Sequence, residues 1–218
     1  MAEKERALTP AEAARKARFD VLCRNMEEAG YQKTDLTVGI VFANIASVFL
    51  MLPFVIFFFF WYFRANASAA GTVGSGRYLL FLVLLLLLVV LHEGIHGLTW
   101  GIFAKEHLRS ISFGVIWKYL TPYCTCAEPM KRWQYVLGTA MPTLLLGFGL
   151  GAAAVRLGHP LPFFLSVVLL FGGGGDLLII LKVLLHRSGG QQAVYCDHPY
   201  ACGTVVFEKR SNIADKGA

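Results

Sequence analysis

Charge is what this sequence has least of. Asp, Glu, Lys and Arg make up 16% of its 218 residues and apolar residues 56%, where an ordinary soluble domain has ~25% charged and about 45–50% apolar. That balance argues against a water-soluble fold. The first 36 residues contain no apolar run, which excludes an N-terminal signal peptide and leaves the expectation of a chain kept whole. No C-x-x-C pair occurs among the five cysteines, Cys23, Cys124, Cys126, Cys196 and Cys202. A structural zinc site at Cys124, Cys126, Cys196 and Cys202 is therefore a weaker reading than plain thiols. No internal repeat is visible.

What is present in quantity is long apolar runs. A hydrocarbon layer ~30 Å thick takes roughly 20 apolar residues in a helix rising ~1.5 Å per residue. Four stretches reach that length, at about 37–63, 78–103, 133–155 and 162–185. The first ends in Phe57 to Tyr62, an aromatic cluster suited to a bilayer interface. Lys and Arg gather in the N-terminal segment, in the loop after the second run and in the tail. The other two loops offer Arg64, Arg77 and Arg156. This bias predicts four spans with both termini cytoplasmic. The net charge of +6 then reads as topology and contact with anionic headgroups, and nothing else supports a nucleic-acid partner. All five cysteines fall on the expected cytoplasmic side, where thiols stay reduced, so no structural disulfide is expected.

Between the runs, Thr9, Pro10 and Glu12 form a helix start, with a capping threonine and a glutamate three residues on. The loop from Ala65 to Gly76 is rich in small residues, and its Asn66–Ser68 sequon reads as chance. Ile111, Phe113 and Val115 alternate with Ser112 and Gly114, and Ile116, Trp117 and Tyr119 continue the β-forming character. That predicts a strand or hairpin bounded by Pro122 and Pro129.

The chemistry lies in the second run. His92, Glu93, Gly94, Ile95 and His96 form H-E-x-x-H, which puts two imidazoles on one helix face within reach of a single ion. Glu93 can stand beside the ion's open position and take a proton from water. Three ionisable groups in five residues of an apolar helix are costly there and mark function. A catalytic zinc takes three protein ligands, and Asp176 is the acid of the fourth run. It follows Gly172, Gly173, Gly174 and Gly175, which call for close helix approach or a local break. Asp197 and His198 are alternative third ligands, or residues covering the site from the cytoplasmic side. Pro142 is expected to kink or open the third span, Lys182 to reach toward headgroups, and His107, His159 and His186 to lie at loops and helix ends.

With His-Glu-Gly-Ile-His at 92–96 in one span and Asp176 in a later one, the chain resembles the site-2 protease class of intramembrane metalloproteases. It resembles more closely a family of small bacterial membrane proteins described as zincin peptidases. The further shared features are Tyr123 to Pro129, Pro142, the Gly-Gly-Asp ending at Asp176, and Asp197-His198-Pro199 with Gly203. The resemblance implies Zn2+ held by His92, His96 and Asp176, with Glu93 as general base. It departs from site-2 proteases in lacking their Asn-Pro motif before the aspartate, which leaves the third ligand open.

The expectation is an all-α membrane protein of about four transmembrane helices with a short cytoplasmic β-strand or hairpin. Residues 1–36 form a cytoplasmic polar segment, 37–186 the membrane core and 187–218 a cytoplasmic tail. Its partners would be the bilayer, in a bacterial inner membrane, and a membrane protein or peptide substrate, cleaved along a strand that holds it unwound. The rival is a non-catalytic membrane metal-binding protein or scaffold. A haem protein fits poorly, because axial ligands approach from opposite faces.

Overall fold

In the computed structural model, which describes residues 8–67, 77–117, 121–188 and 192–209, each of the four apolar runs is helical. Helix α2 covers Ile40–Ala65 and α3 covers Arg77–Phe103. Helix α4, Arg132–Pro142, passes through a π-helical stretch, Thr143–Gly149, into α5, Leu150–Leu157. Helices α6, Pro160–Gly172, and α7, Gly174–Leu185, meet at a 42° bend. Three helices are long and apolar enough to cross a membrane, and the bent α6–α7 pair makes a fourth if taken as one span. Leu79, Leu82, Leu86, Leu87 and Val90 of α3 are exposed, an apolar surface suited to hydrocarbon.

The π-helical stretch follows Pro142. Proline lacks an N–H, so the carbonyl four residues back, that of Gly138, has no helical donor, and the helix register slips to wider turns just beyond.

The molecule holds more strand than the sequence suggests. The expected hairpin is present as β2, Ile111–Ile116, and β3, Thr121–Cys126. Pro122 does not end it but pairs with Val115 inside β3. A second, antiparallel sheet has the order β1-β6-β5-β4, from β1 (Tyr31–Asp35), β4 (Met130–Lys131), β5 (Ala193–Asp197) and β6 (Thr204–Lys209). It joins the two ends of the chain, Tyr31 pairing with Lys209. The N-terminal segment and the tail are thus folded together. Lys118 and Tyr119 lie outside the described residues, as do Ser68 of the sequon and most of the Ala65–Gly76 loop.

Helix α1, Pro10–Glu28, begins at the expected cap, with Thr9 and Glu12 bonding each other's backbone reciprocally. It lies on the sheet through Phe19, which is buried with Cys196, Val205 and Phe207. A second core of Trp100, Cys126, Tyr135, Val183, Tyr195 and Val206 ties the ends of α3, α4 and α7 to the sheet. A third, with Phe58, Tyr62, Phe163 and Leu170, holds α2 to α5 and α6. The sheet therefore closes one end of the bundle, the end at which the histidine motif and Asp176 lie.

Candidate active site

His92 and His96, one turn apart on α3, are 8% and 4% exposed. Asp176 stands in the first turn of α7, with its Oδ2 3.1 Å from Nε2 of His92 and 3.4 Å from Nε2 of His96. Among the described residues this is the one set of three or more His, Cys, Asp or Glu donors lying within 4.8 Å of one another. Zinc bonds of ~2.0–2.1 Å in a tetrahedron place neighbouring donors roughly 3.3 Å apart, so the set fits such an ion.

The glycine run explains why Asp176 reaches this point. The chain breaks at Gly173, and α7 starts afresh with a new direction. A Cβ on Gly173 would run into the hydroxyl of Thr143. One on Gly174 would lie 2.7 Å from the carbonyl oxygen and 2.8 Å from the Cα of Ser47, which are backbone and cannot turn aside. Both expected reasons for glycine, a break and a close approach, operate at adjacent positions. The Thr143 hydroxyl also reaches Asp176 Oδ2, at 3.5 Å.

The orientation of His96 comes from α4. Its Nδ1 is 2.9 Å from the carbonyl oxygen of Gly138, the one that Pro142 leaves without a helical donor. An N–H on Nδ1 donating there leaves Nε2 as the nitrogen facing Asp176. A lone pair and a carboxylate oxygen at 3.4 Å repel unless a cation or a proton stands between them. The imidazole also stacks on Trp100, with ring centroids 5.1 Å apart and planes inclined by 17°. The Trp100 indole N–H donates to the carbonyl of Tyr135.

Glu93, beside these ligand candidates, lines a cavity together with Cys124 of β3. His92, Glu93, His96 and Asp176 all line one cavity of about 480 Å³. Its other walls are the first turns of α2, the end of α6, strand β3 and the segment from Asp197 to Gly203. Helices α2 and α3 share no packed interface, so the cavity runs between them. From α1, Arg15 closes the far side, its Nε donating to the Pro199 carbonyl at 2.9 Å and its Nη2 to the Tyr123 hydroxyl at 2.8 Å.

Residues 85–189, which carry the motif, the glycine run and Asp176, match a family model described as "Putative zincin peptidase". This region belongs to that family. A search of curated proteins finds no match, nor does one of solved structures.

Outside the donor set, the chain engages its other polar groups elsewhere. Asp197 accepts from the Tyr135 hydroxyl at 2.6 Å and from the Cys126 N–H at 2.8 Å. Burial pushes its carboxyl up to about 6 against those two hydrogen bonds. His198 accepts the Ala201 N–H on Nδ1 and packs against Phe19, and burial lowers its pKa. The two alternative third ligands thus line the cavity without joining the donor set. Burial raises the Cys124 and Cys126 thiols, the latter to about 12, as protonated thiols rather than ligands require. Lys182 donates to the Thr37 carbonyl at 3.1 Å and His186 meets Glu208 at 3.0 Å. Sequence reasoning missed Gly138, Thr143, Trp100 and Arg15. For Gly138 a signal existed, since it stands four residues before a proline within a helix.

Proposed function

We propose that this protein is a zinc-dependent endopeptidase of the membrane, with His92, His96 and Asp176 as ligands and Glu93 as general base. The observation that carries the reading is the convergence of those three donors beside Glu93 in a single cavity. Zinc held by two imidazoles and a carboxylate is a Lewis acid toward a carbonyl and acidifies water. The protein's own groups do the rest. Gly138 and Trp100 fix the His96 ring, and Thr143 holds Asp176. Glu93 takes a proton from water and passes it to the leaving amine.

The long apolar helices and the spread of Lys and Arg support an integral protein of a bacterial inner membrane with both termini cytoplasmic. The site then lies in the cytoplasmic half of the bundle, and the substrate is a membrane protein or peptide cut in or near the bilayer.

Zinc analysis of the detergent-purified protein tests this reading. About one zinc per chain is expected, lost in both His92→Ala and Asp176→Ala and retained in Asp197→Ala. No zinc in the wild type after reconstitution would refute it and leave a non-catalytic scaffold.

A further inference from the structure

Helix α2 contains a polar group that packing does not explain. From Ile40 to Phe63 it holds no charged residue and one carboxamide, Asn44. Its other small polar residue, Ser47, is satisfied locally, its hydroxyl donating to the Ala43 carbonyl at 2.6 Å. Asn44 makes no hydrogen bond among the described residues, and it lines the cavity that holds His92, Glu93, His96 and Asp176. Asn44 is exposed, so its amide is open to whatever occupies that cavity, and a carboxamide is the one such group that this apolar helix carries.

Depth places it further. Ser47 backbone abuts Gly174, which fixes the register of α2 against α7. The two helices run in opposite directions, and Lys182 of α7 reaching the Thr37 carbonyl agrees with that register. Three residues back along α2, from Ser47 to Asn44, is about 4.5 Å toward the sheet end of the bundle. Two residues on along α7, from Gly174 to Asp176, is about 3 Å the same way. Asn44 is therefore level with the proposed ligand, on the α2 side of the gap between α2 and α3.

We propose that Asn44 binds the backbone of the substrate peptide beside the bond to be cut. This rests on the zinc-peptidase reading. A carboxamide offers the donor and acceptor pair that an unwound peptide presents in reverse, its NH2 donating to a carbonyl and its Oδ1 accepting an N–H. Because a peptide bond inside a helix has its groups already paired, a residue that pairs them instead favours the extended form the site needs. The ligand class is thus an extended peptide backbone, whatever its side chains.

The test is binding of two zinc-directed probes to the zinc-loaded full chain in detergent. Acetohydroxamate reaches the metal alone, and a peptidyl hydroxamate adds a backbone beside it. Asn44→Leu and Asn44→Ala both remove the amide, one filling its space and one emptying it. In both variants the peptidyl probe is expected to bind about tenfold more weakly, as for loss of one or two hydrogen bonds, with acetohydroxamate unchanged. Equal binding of the peptidyl probe to wild type and variants would overturn the proposal, as would equal weakening of both probes. Failure of acetohydroxamate to bind the wild type would instead overturn the zinc reading, and this inference with it.

Discussion

The carbonyl oxygen of Gly138 is 2.9 Å from Nδ1 of His96, and it is free to be there because residue 142 is proline. The proline removes one helical bond and so hands a buried acceptor to the ring that needs orienting. Glycine is required at 138 for a second reason, since a Cβ there would strike the Trp100 indole on which His96 stacks. Gly138→Ala should lose about 1–3 kcal/mol of stability and weaken zinc about 10–100-fold. Pro142→Ala should weaken zinc without destabilising the fold, because it adds a competing N–H in a helix. Zinc titration beside thermal unfolding separates the two. Unchanged zinc affinity in both variants would mean that the Gly138 bond does not orient His96.

Gly174 makes an independent test of how Asp176 is delivered. Its missing Cβ is the space taken by the Ser47 backbone, and neither helix can yield by turning a side chain. Gly174→Ala should push α2 from α7 and cost about 1–3 kcal/mol. Gly172→Ala, where a Cβ meets nothing within 4 Å, should be neutral or slightly stabilising. If the two variants unfold alike, the close approach is not what the glycine run is for.

The helices and the histidine motif were legible because each is a local pattern. Leu79 to Val89 is an uninterrupted apolar run, and His92 and His96 share a face through helical geometry alone. The four-stranded sheet was not legible, because Tyr31 and Lys209 pair across most of the chain and β4 is two residues long. Neither strand carries the alternation that would announce a buried face. Asp176 stood out through its glycines, but that it rather than Asp197 comes within reach of both histidines shows only in the fold. The tyrosine that claims Asp197 lies 62 residues away, and no spacing rule links them.

Glu93 provides the test that separates catalysis from binding. Its carboxylate is in the cavity but outside the donor set, so Glu93→Gln keeps the shape and removes the proposed base. Zinc content should be unchanged while hydrolysis of a membrane peptide falls by about 10²–10⁴-fold. A variant that keeps wild-type turnover would deny Glu93 the proton transfer. One that loses zinc would make it a ligand instead.

Asp197 gives the fold a pH dependence of definite sign. Its carboxyl, ordinarily at 3.8, is raised to about 6 by burial, so the folded state holds this proton more tightly than the unfolded chain. Its contribution is full below about 4 and is lost as pH rises to about 6, a change of roughly 1–3 kcal/mol. Glu128 works in the opposite sense. Burial disfavours its charge, but hydrogen bonds from Ser110 and from the N–H groups of Glu106 and Lys105 outweigh that and lower its pKa. Its contribution is lost on acidification below about 4.5, so the raw stability curve mixes both residues. The difference between wild type and Asp197→Asn isolates one of them. The variant keeps one acceptor for the Tyr135 hydroxyl and the Cys126 N–H where two are needed, so it should be less stable at every pH. Its deficit should shrink between pH 4 and 6, as the wild type ionises and the asparagine does not. Denaturation in detergent across that range measures it, and parallel curves would show that Asp197 does not titrate there.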